Sequence, residues 1–442
     1  MTPASRLRRS FSLLVFSCAA FSLATGAEPS AASSTPATTG ESHAIFNVRN
    51  FGATGEGKAK DTAALQKALD ACAEAGGGTV LVPAGYYLTG SLHLKSKTTL
   101  SLEGKAFLIG SPDIADYPLA RVRWEGEFQQ GHRALLWAEN ANDISIIGPG
   151  VIFGPPIPVA CLRDPRAPSL IEFSECTNVV LDSFTTQYER VWSIHPVLCQ
   201  NFTARNLIIR SVFTNGDGID VDSCRDVLIE RCNIDTGDDA IALKSGRGME
   251  GVRTARPTEN VVIRDCVLTG SMYGAIGIGT ELSGGIRNVR IENCVLSGKG
   301  NAIIFKSRDG RGGFIENVTG ENLVVHNSGN FICIDLLKRG IQATEPVPGA
   351  TEQWTQVSNI RFSGVRVFNV TQLVNAGKVP PERPLQGFTL SDVTGDCEKG
   401  ITLANMTDVT LSQINVTGYQ GGLLSTENVS GAGLVNPEKP AK

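Results

Sequence analysis

The sequence has no excess of basic charge: 40 Lys+Arg face 44 Asp+Glu across 442 residues, a net charge of -4. Nucleic-acid binding needs a positive footprint, so that class is excluded, whereas an acidic substrate asks only for local cations. There is no CxxC pair, which weakens a zinc reading, and no pattern that calls for a cofactor. Past residue 27 no stretch reaches the ~18–20 apolar residues of a membrane span, so no membrane partner is expected. Methionine is rare, with four residues, and helical periodicity is nearly absent. What the chain does have is glycine: 48 residues, about 11%, against a usual ~7%. With 41% hydrophobic and 19% charged residues it is globular, and its Gly, Asn, Val and Ile point to short strands and many turns.

The N-terminal stretch is of another kind. Residues 1–27 read as a secretory signal: Arg6, Arg8 and Arg9 lead, Phe11 to Leu23 is apolar, and Thr25-Gly26-Ala27 is a small-residue cleavage site. Residues 28–42, rich in Ala, Ser, Thr and Pro, read as a flexible leader. An exported chain is expected, periplasmic or extracellular after cleavage near Ala27, with residues 43–442 as one domain and a monomer as the assembly. Ten of the 11 cysteines lie beyond the cleavage site and read as buried core thiols with one or two bridges.

Asn or Asp followed by alternating apolar residues recurs at Asn142, Asn178, Asn201, Asp226, Asn260, Asn288, Asn317, Asn359 and Asp408. The closest spacings are 23, 25, 34, 28 and 29 residues, a period that signals a solenoid. Period-2 alternation makes each unit a strand former, and no unit holds a long amphipathic helix. Such units predict an all-β fold, a single-stranded parallel β-helix with coils about 4.8 Å apart. Cys176, Cys199 and Cys224 precede the motif at one place, and Cys232, Cys266 and Cys294 fill another, as inward ladders would. One helix is expected near the start: Asp61-Thr62 caps it, Leu65, Leu69 and Cys72 line a face, and Gly76-Gly77-Gly78 ends it. It would close the solenoid and cover an open strand edge.

The chemistry concentrates in one stripe. Four ten-residue blocks superpose without gaps: 215–224, 236–245, 271–280 and 298–307. In that register Asp217 stacks on Asp238, Tyr273 and Gly300; the next column holds Gly218, Asp239, Gly274 and Asn301; a later one holds Ser223, Lys244, Gly279 and Lys306. Like charges one coil apart raise at least one pKa, and a protonated acid beside ionised neighbours is what glycosidic cleavage requires. Gly216, Gly218 and Gly237 leave room for a sugar. Inversion needs carboxyls ~6.5–9.5 Å apart and retention ~5–5.5 Å, and the register alone does not choose. Two other readings stay open: aspartates serving turn geometry, and an outward carboxylate ladder that binds calcium.

These residues resemble glycoside hydrolase family 28, the polygalacturonase family of pectin-degrading enzymes. Asn215-Gly216-Asp217 matches the family's Asn-Thr-Asp, Gly237-Asp238-Asp239 its Gly-Asp-Asp, and Phe305-Lys306 the end of its Arg-Ile-Lys. The opening Asn47 to Ala53, the stretch Gly78 to Gly85, Trp192 to Pro196, Ile278 to Glu281 and Gly310 to Gly313 extend the likeness over roughly residues 45–420. The resemblance implies a right-handed parallel β-helix and metal-independent hydrolysis of α-galacturonosyl bonds with inversion. It makes Asp238 the general acid and has Asp217 and Asp239 hold the attacking water, with Asn215 positioning that network. The implied partner is a pectic glycan, galacturonan or rhamnogalacturonan.

Two positions depart from the family. Tyr273 stands where a His is usual, and Ile304 where the Arg of Arg-Ile-Lys is usual. Ile304 donates no hydrogen bond, so half of a two-cation clamp for the leaving-side carboxylate is missing. Lys306 remains, with Arg308 or Arg311 in reach by sequence, and Tyr273 as a replacement hydrogen-bond partner. Competing readings are a rhamnogalacturonan-type hydrolase, a non-catalytic pectin-binding relative and a calcium-dependent lyase, the last lacking an Arg or Lys inside the acidic stripe. Trp192 either stacks on a sugar or packs in the solenoid. His195 reads as structural, Glu281 as either support for the site or structural, and Lys244 as a solvated charge. Segments 110–135 and 338–356 are candidates to close the groove and decide between internal and chain-end attack.

Overall fold

The computed structural model describes residues 44–157, 165–337, 346–349 and 352–435. The expected signal and leader, Cys161 and part of the 338–356 segment lie outside these residues.

Strands pair in parallel along three ladders that repeat coil after coil. The first runs through Thr177–Asp182, Gln200–Arg205, Arg225–Glu230, Thr258–Arg264 and Ile286–Glu292. The second runs through Thr185–Gln187, Ile208–Arg210, Asn233–Thr236 and Val267–Gly270. The third runs through Ile171–Ser174, Ile194–Val197, Ile219–Asp222, Ile241–Lys244, Gly274–Ile278 and Val295–Lys306. Crossovers between parallel strands are right-handed, and the chain is a right-handed β-helix. Alternation sends one side chain in two inward, where Val179, Phe202, Val227, Val261 and Val289 stack in one core.

The recurrent Asn has a backbone reason. Asn178, Asn201, Asp226, Asn260, Asn288 and Asn317 all hold a left-handed φ, between 55° and 59°, which Asn and Asp tolerate and branched residues do not. Their amides also link coils: Asn288 Nδ2 donates to Asn260 Oδ1, and Asn317 Nδ2 to Asn288 Oδ1, each at 3.1 Å. In the first repeat the ladder residue is Asp143, not Asn142: Asn178 Nδ2 donates to its Oδ1 at 2.8 Å.

The helix α1 covers Thr62–Glu74 and buries Leu65, Leu69 and Cys72 as expected. Asp61 precedes it but does not cap it with its side chain, which instead accepts from the Thr54 and Gly55 amides. A second, short helix, α2 (Gly248–Thr254), interrupts the repeat after Ile241–Lys244. Among the described residues Cys72, Cys176, Cys199, Cys224, Cys232, Cys266, Cys294 and Cys397 are unbridged, so the one or two bridges expected are absent among these eight. Segment 119–132 is an antiparallel hairpin of Leu119–Trp124 and Glu127–His132, outside the solenoid's ladders.

Candidate active site

The site is built on the third ladder. Ile219, Val221, Ile241, Leu243, Ile276, Ile278, Ile303 and Phe305 take its inward positions. Their neighbours must therefore face outward: Asp220 pairs with Ala242, Asp222 with Lys244, Ala242 with Gly277, and Gly277 with Ile304.

Between the first two blocks the register differs by one residue from the gapless superposition. Ile219 pairs with Ile241, not Ala240, so Asp217 falls in the column of Asp239 rather than Asp238. The column of Lys244 continues through Asp222 rather than Ser223. The superposition matched acid to acid, whereas pairing is set by the apolar set: a one-residue slip would turn Ile219 and Val221 out of the core.

Even so, the three expected acids converge. One carboxylate oxygen from each of Asp217, Asp238 and Asp239 lies within 4.8 Å of the others. All three are buried, Asp217 and Asp238 retaining 4% exposure and Asp239 1%. Asp238 is held by two backbone amides, Asn215 N–H to Oδ2 at 3.2 Å and Asp239 N–H to Oδ1 at 3.0 Å. Asn215 thus positions the acid through its backbone, bent by a φ of 60°. Lys306 Nζ sits 2.5 Å from Asp239 Oδ2. Gly277 is required on the far side of Asp239, because a Cβ there would lie 2.4 Å from Asp239 Oδ2.

Burial pushes Asp217 well above the ordinary carboxylate range, and repulsion from Asp220, Asp238 and Asp239 adds to it against the pull of Lys244. Burial also raises Asp238, with Asp239 repelling and Lys306 and the Asn215 amide opposing. Asp217 and Asp238 therefore keep a proton to higher pH than free carboxyls would. Burial disfavours charge on Lys244 and Lys306, but their acidic neighbours outweigh it, and both stay ammonium groups. The three carboxylates are also the one group among the described residues spaced to hold a metal ion. Lys306 already occupies Asp239 Oδ2, and a second ammonium nearby repels a cation.

Other expectations are redistributed. Lys244 is not solvated: it is buried, 2.6 Å from Asp220 Oδ1 and 3.7 Å above the Trp192 ring. Two lysines thus do stand inside the acidic stripe. Trp192 is 2% exposed and stacks on Trp124 with ring centroids 4.0 Å apart, so it packs rather than offering a face to a sugar. Tyr273 is 37% exposed, its ring centroid 5.2 Å from Lys306 Nζ. Arg308 sits beside Glu281, Arg247 and Glu125. His195 is fully buried, its Nδ1 3.4 Å from Glu172 Oε2. Glu281 is buried near the same cations: burial alone would raise it, but Lys244, Lys306 and Arg311 hold it down to about 2.

Sequence reasoning missed Asp220, Asp222, Arg123 and Gly277. The signal for the first two was present, since Ile219-Asp220-Val221-Asp222 alternates on one strand. Arg123 comes from the hairpin: its Nε donates to Asp222 Oδ2 at 2.8 Å, and its Nη1 reaches Glu250 at 3.3 Å. The Phe128 amide donates to Glu250, and Arg247 pairs with Glu125 and Glu127. The hairpin is thus clamped across the outer face of the third ladder, between Trp192 on one side and α2 on the other.

Comparison with known proteins identifies the family. Residues 72–410 match the family described as glycosyl hydrolases family 28. A probable polygalacturonase of Vitis vinifera is 32% identical over 286 residues, covering 61% of this chain and 58% of the relative. An exo-poly-alpha-D-galacturonosidase of Dickeya chrysanthemi is 25% identical over 414 residues, covering 81% and 65%. These matches span less than two thirds of either relative's length. The crystal structure of an exopolygalacturonase from Thermotoga maritima superposes with a TM-score of 0.67 at 26% identity, covering 87% of this chain and 91% of that one. The chain belongs to glycosyl hydrolase family 28.

Proposed function

We propose that this protein hydrolyses α-linked galacturonosyl bonds of pectic glycans with inversion, acting as an exported enzyme whose first 27 residues are a removed signal. The observation that carries the reading is the convergence of Asp217, Asp238 and Asp239, the first two with raised proton affinity. Asp238 gives its proton to the leaving oxygen, and Asp217 and Asp239 hold and deprotonate the attacking water. Lys306, beside Asp239 and the Tyr273 ring, is the cation placed to meet a substrate carboxylate on the leaving side. Elimination finds less support, because both lysines of the stripe are held protonated by their acid partners and are poor bases. The clamped hairpin favours attack from a chain end, in keeping with the names of the Dickeya and Thermotoga relatives.

A second substrate reading rests on Ile304. It lies on the outer face between Gly277 and Cys333, an apolar floor where the usual Arg would grip a carboxylate. A neutral leaving sugar, as in rhamnogalacturonan, fits that floor better than a uronate does. Galacturonan and rhamnogalacturonan are assayed side by side for reducing ends, for 4,5-unsaturated product and for the anomer first released. Reducing ends with inverted anomer and no unsaturated product are expected. Monomer released before viscosity falls reports chain-end attack. Asp238→Asn is expected to lower turnover at least ~10²-fold, and unchanged turnover removes Asp238 from the mechanism.

A further inference from the structure

The mechanism above leaves Lys244 and Asp220 without a task, yet both are buried on the outer face of the third ladder, close to Asp217. Their ion pair, at 2.6 Å, is roofed by the Trp192 indole, 3.7 Å from Lys244 Nζ. That roof is tied to the site, because the amide of Ser193, the next residue, donates to the Asp217 carbonyl at 2.9 Å. We propose that Lys244 and Asp220 form a positioning pair that fixes where the working proton of Asp217 and Asp238 resides. Neither touches substrate.

The two partners act with opposite sign. After burial, Asp220 is the largest influence raising Asp217, and Lys244 is the largest influence lowering it. Lys244 also lowers Asp238. Burial pushes Asp220 itself up to about 6, against the pull of Lys244 and His195. The charged groups around Lys244 come from every coil packed on it: Asp220 and Asp217 from the preceding coil, Glu281 after Gly274–Ile278, and Lys306 from Val295–Lys306. Such a buried pair costs about as much to desolvate as its attraction returns, so stability alone explains it poorly.

This inference rests on the hydrolase reading, and the test separates the two. The acidic limb of the kcat/KM profile is measured for Lys244→Met, Asp220→Asn and Lys244→Arg, with thermal unfolding as the folding check. Lys244→Met is expected to move the limb up by about one pH unit, Asp220→Asn to move it down, and Lys244→Arg to hold it near wild type. Carboxyl ¹³C titration of the same variants reads the same shifts without substrate. It decides the inference even if the wild type cleaves neither glycan, which by itself would overturn only the hydrolase reading. Folded Lys244→Met and Asp220→Asn with wild-type limbs and unshifted carboxyl titrations overturn it. Should Lys244→Met not fold, the isosteric Asp220→Asn decides alone, and a limb or carboxyl titration that does not move down overturns it.

Discussion

On the first ladder Arg287 meets Glu259 at 2.6 Å with side chains 41% and 20% exposed; across the third ladder Arg123 meets Asp222 at 2.8 Å with side chains 1% and 0% exposed. Both are arginine–carboxylate pairs at nearly equal distance on the same solenoid. Solvent differs, because the hairpin covers the third ladder and nothing comparable among the described residues covers Arg287. In high dielectric an ion pair is worth little; once covered, each member depends on the other, and neighbouring carboxyls titrate far from their ordinary values. A regular outer face thus becomes a chemical site where an irregular insertion excludes water from it.

The comparison breaks most sharply at the two arginines. Arg123→Met leaves Asp222 buried without its partner and is expected to cost about 3–5 kcal/mol in urea unfolding, whereas Arg287→Met costs under about 1 kcal/mol. Equal losses would mean that cover does not set the value of the pair. Gly277→Ala, still on the third ladder, must push Asp239 aside; a drop in turnover of order 10²-fold with little change in fold is expected from steady-state kinetics. The pH dependence of stability sharpens the contrast. Burial pushes Glu189 from an ordinary 4.5 up to about 7. A raised carboxyl contributes stability that is whole below its unfolded value and is lost as pH rises through the folded one. The melting temperature should therefore fall between pH 4.5 and about 7, and Glu189→Gln should flatten that fall. A modest backbone effect is expected on the first ladder: Asn288→Ala keeps a φ of 55° without its amide and should lose about 1–2 kcal/mol by thermal denaturation.

Much of the fold was legible because its causes are local. Asn at a left-handed φ and an apolar residue at every second place repeat in each coil, so the period announces the ladder. The acids were legible as motif residues, and Asp217, Asp238 and Asp239 do meet. What escaped needed either a register or a distant partner. Asp220 and Lys244 face each other only when Ile219 pairs with Ile241, and aligning by chemistry missed that by one residue. Arg123 lies 99 residues from Asp222, and no local pattern links them. Lys244 was read as solvated because nothing near it in sequence reveals Trp192 overhead, and Trp192 was offered to substrate for the same reason.

The unbridged cysteines give the molecule a built-in clock for its own opening. All eight are buried, and burial pushes Cys199 far up and Cys397 up to about 11, so almost no thiolate is available while the coils stay closed. Because they are strung from Cys72 to Cys397, a pulse of alkylating reagent during unfolding would mark each segment at the moment it comes apart. Peptide masses would then tell whether the solenoid unzips from an end or lets go all at once.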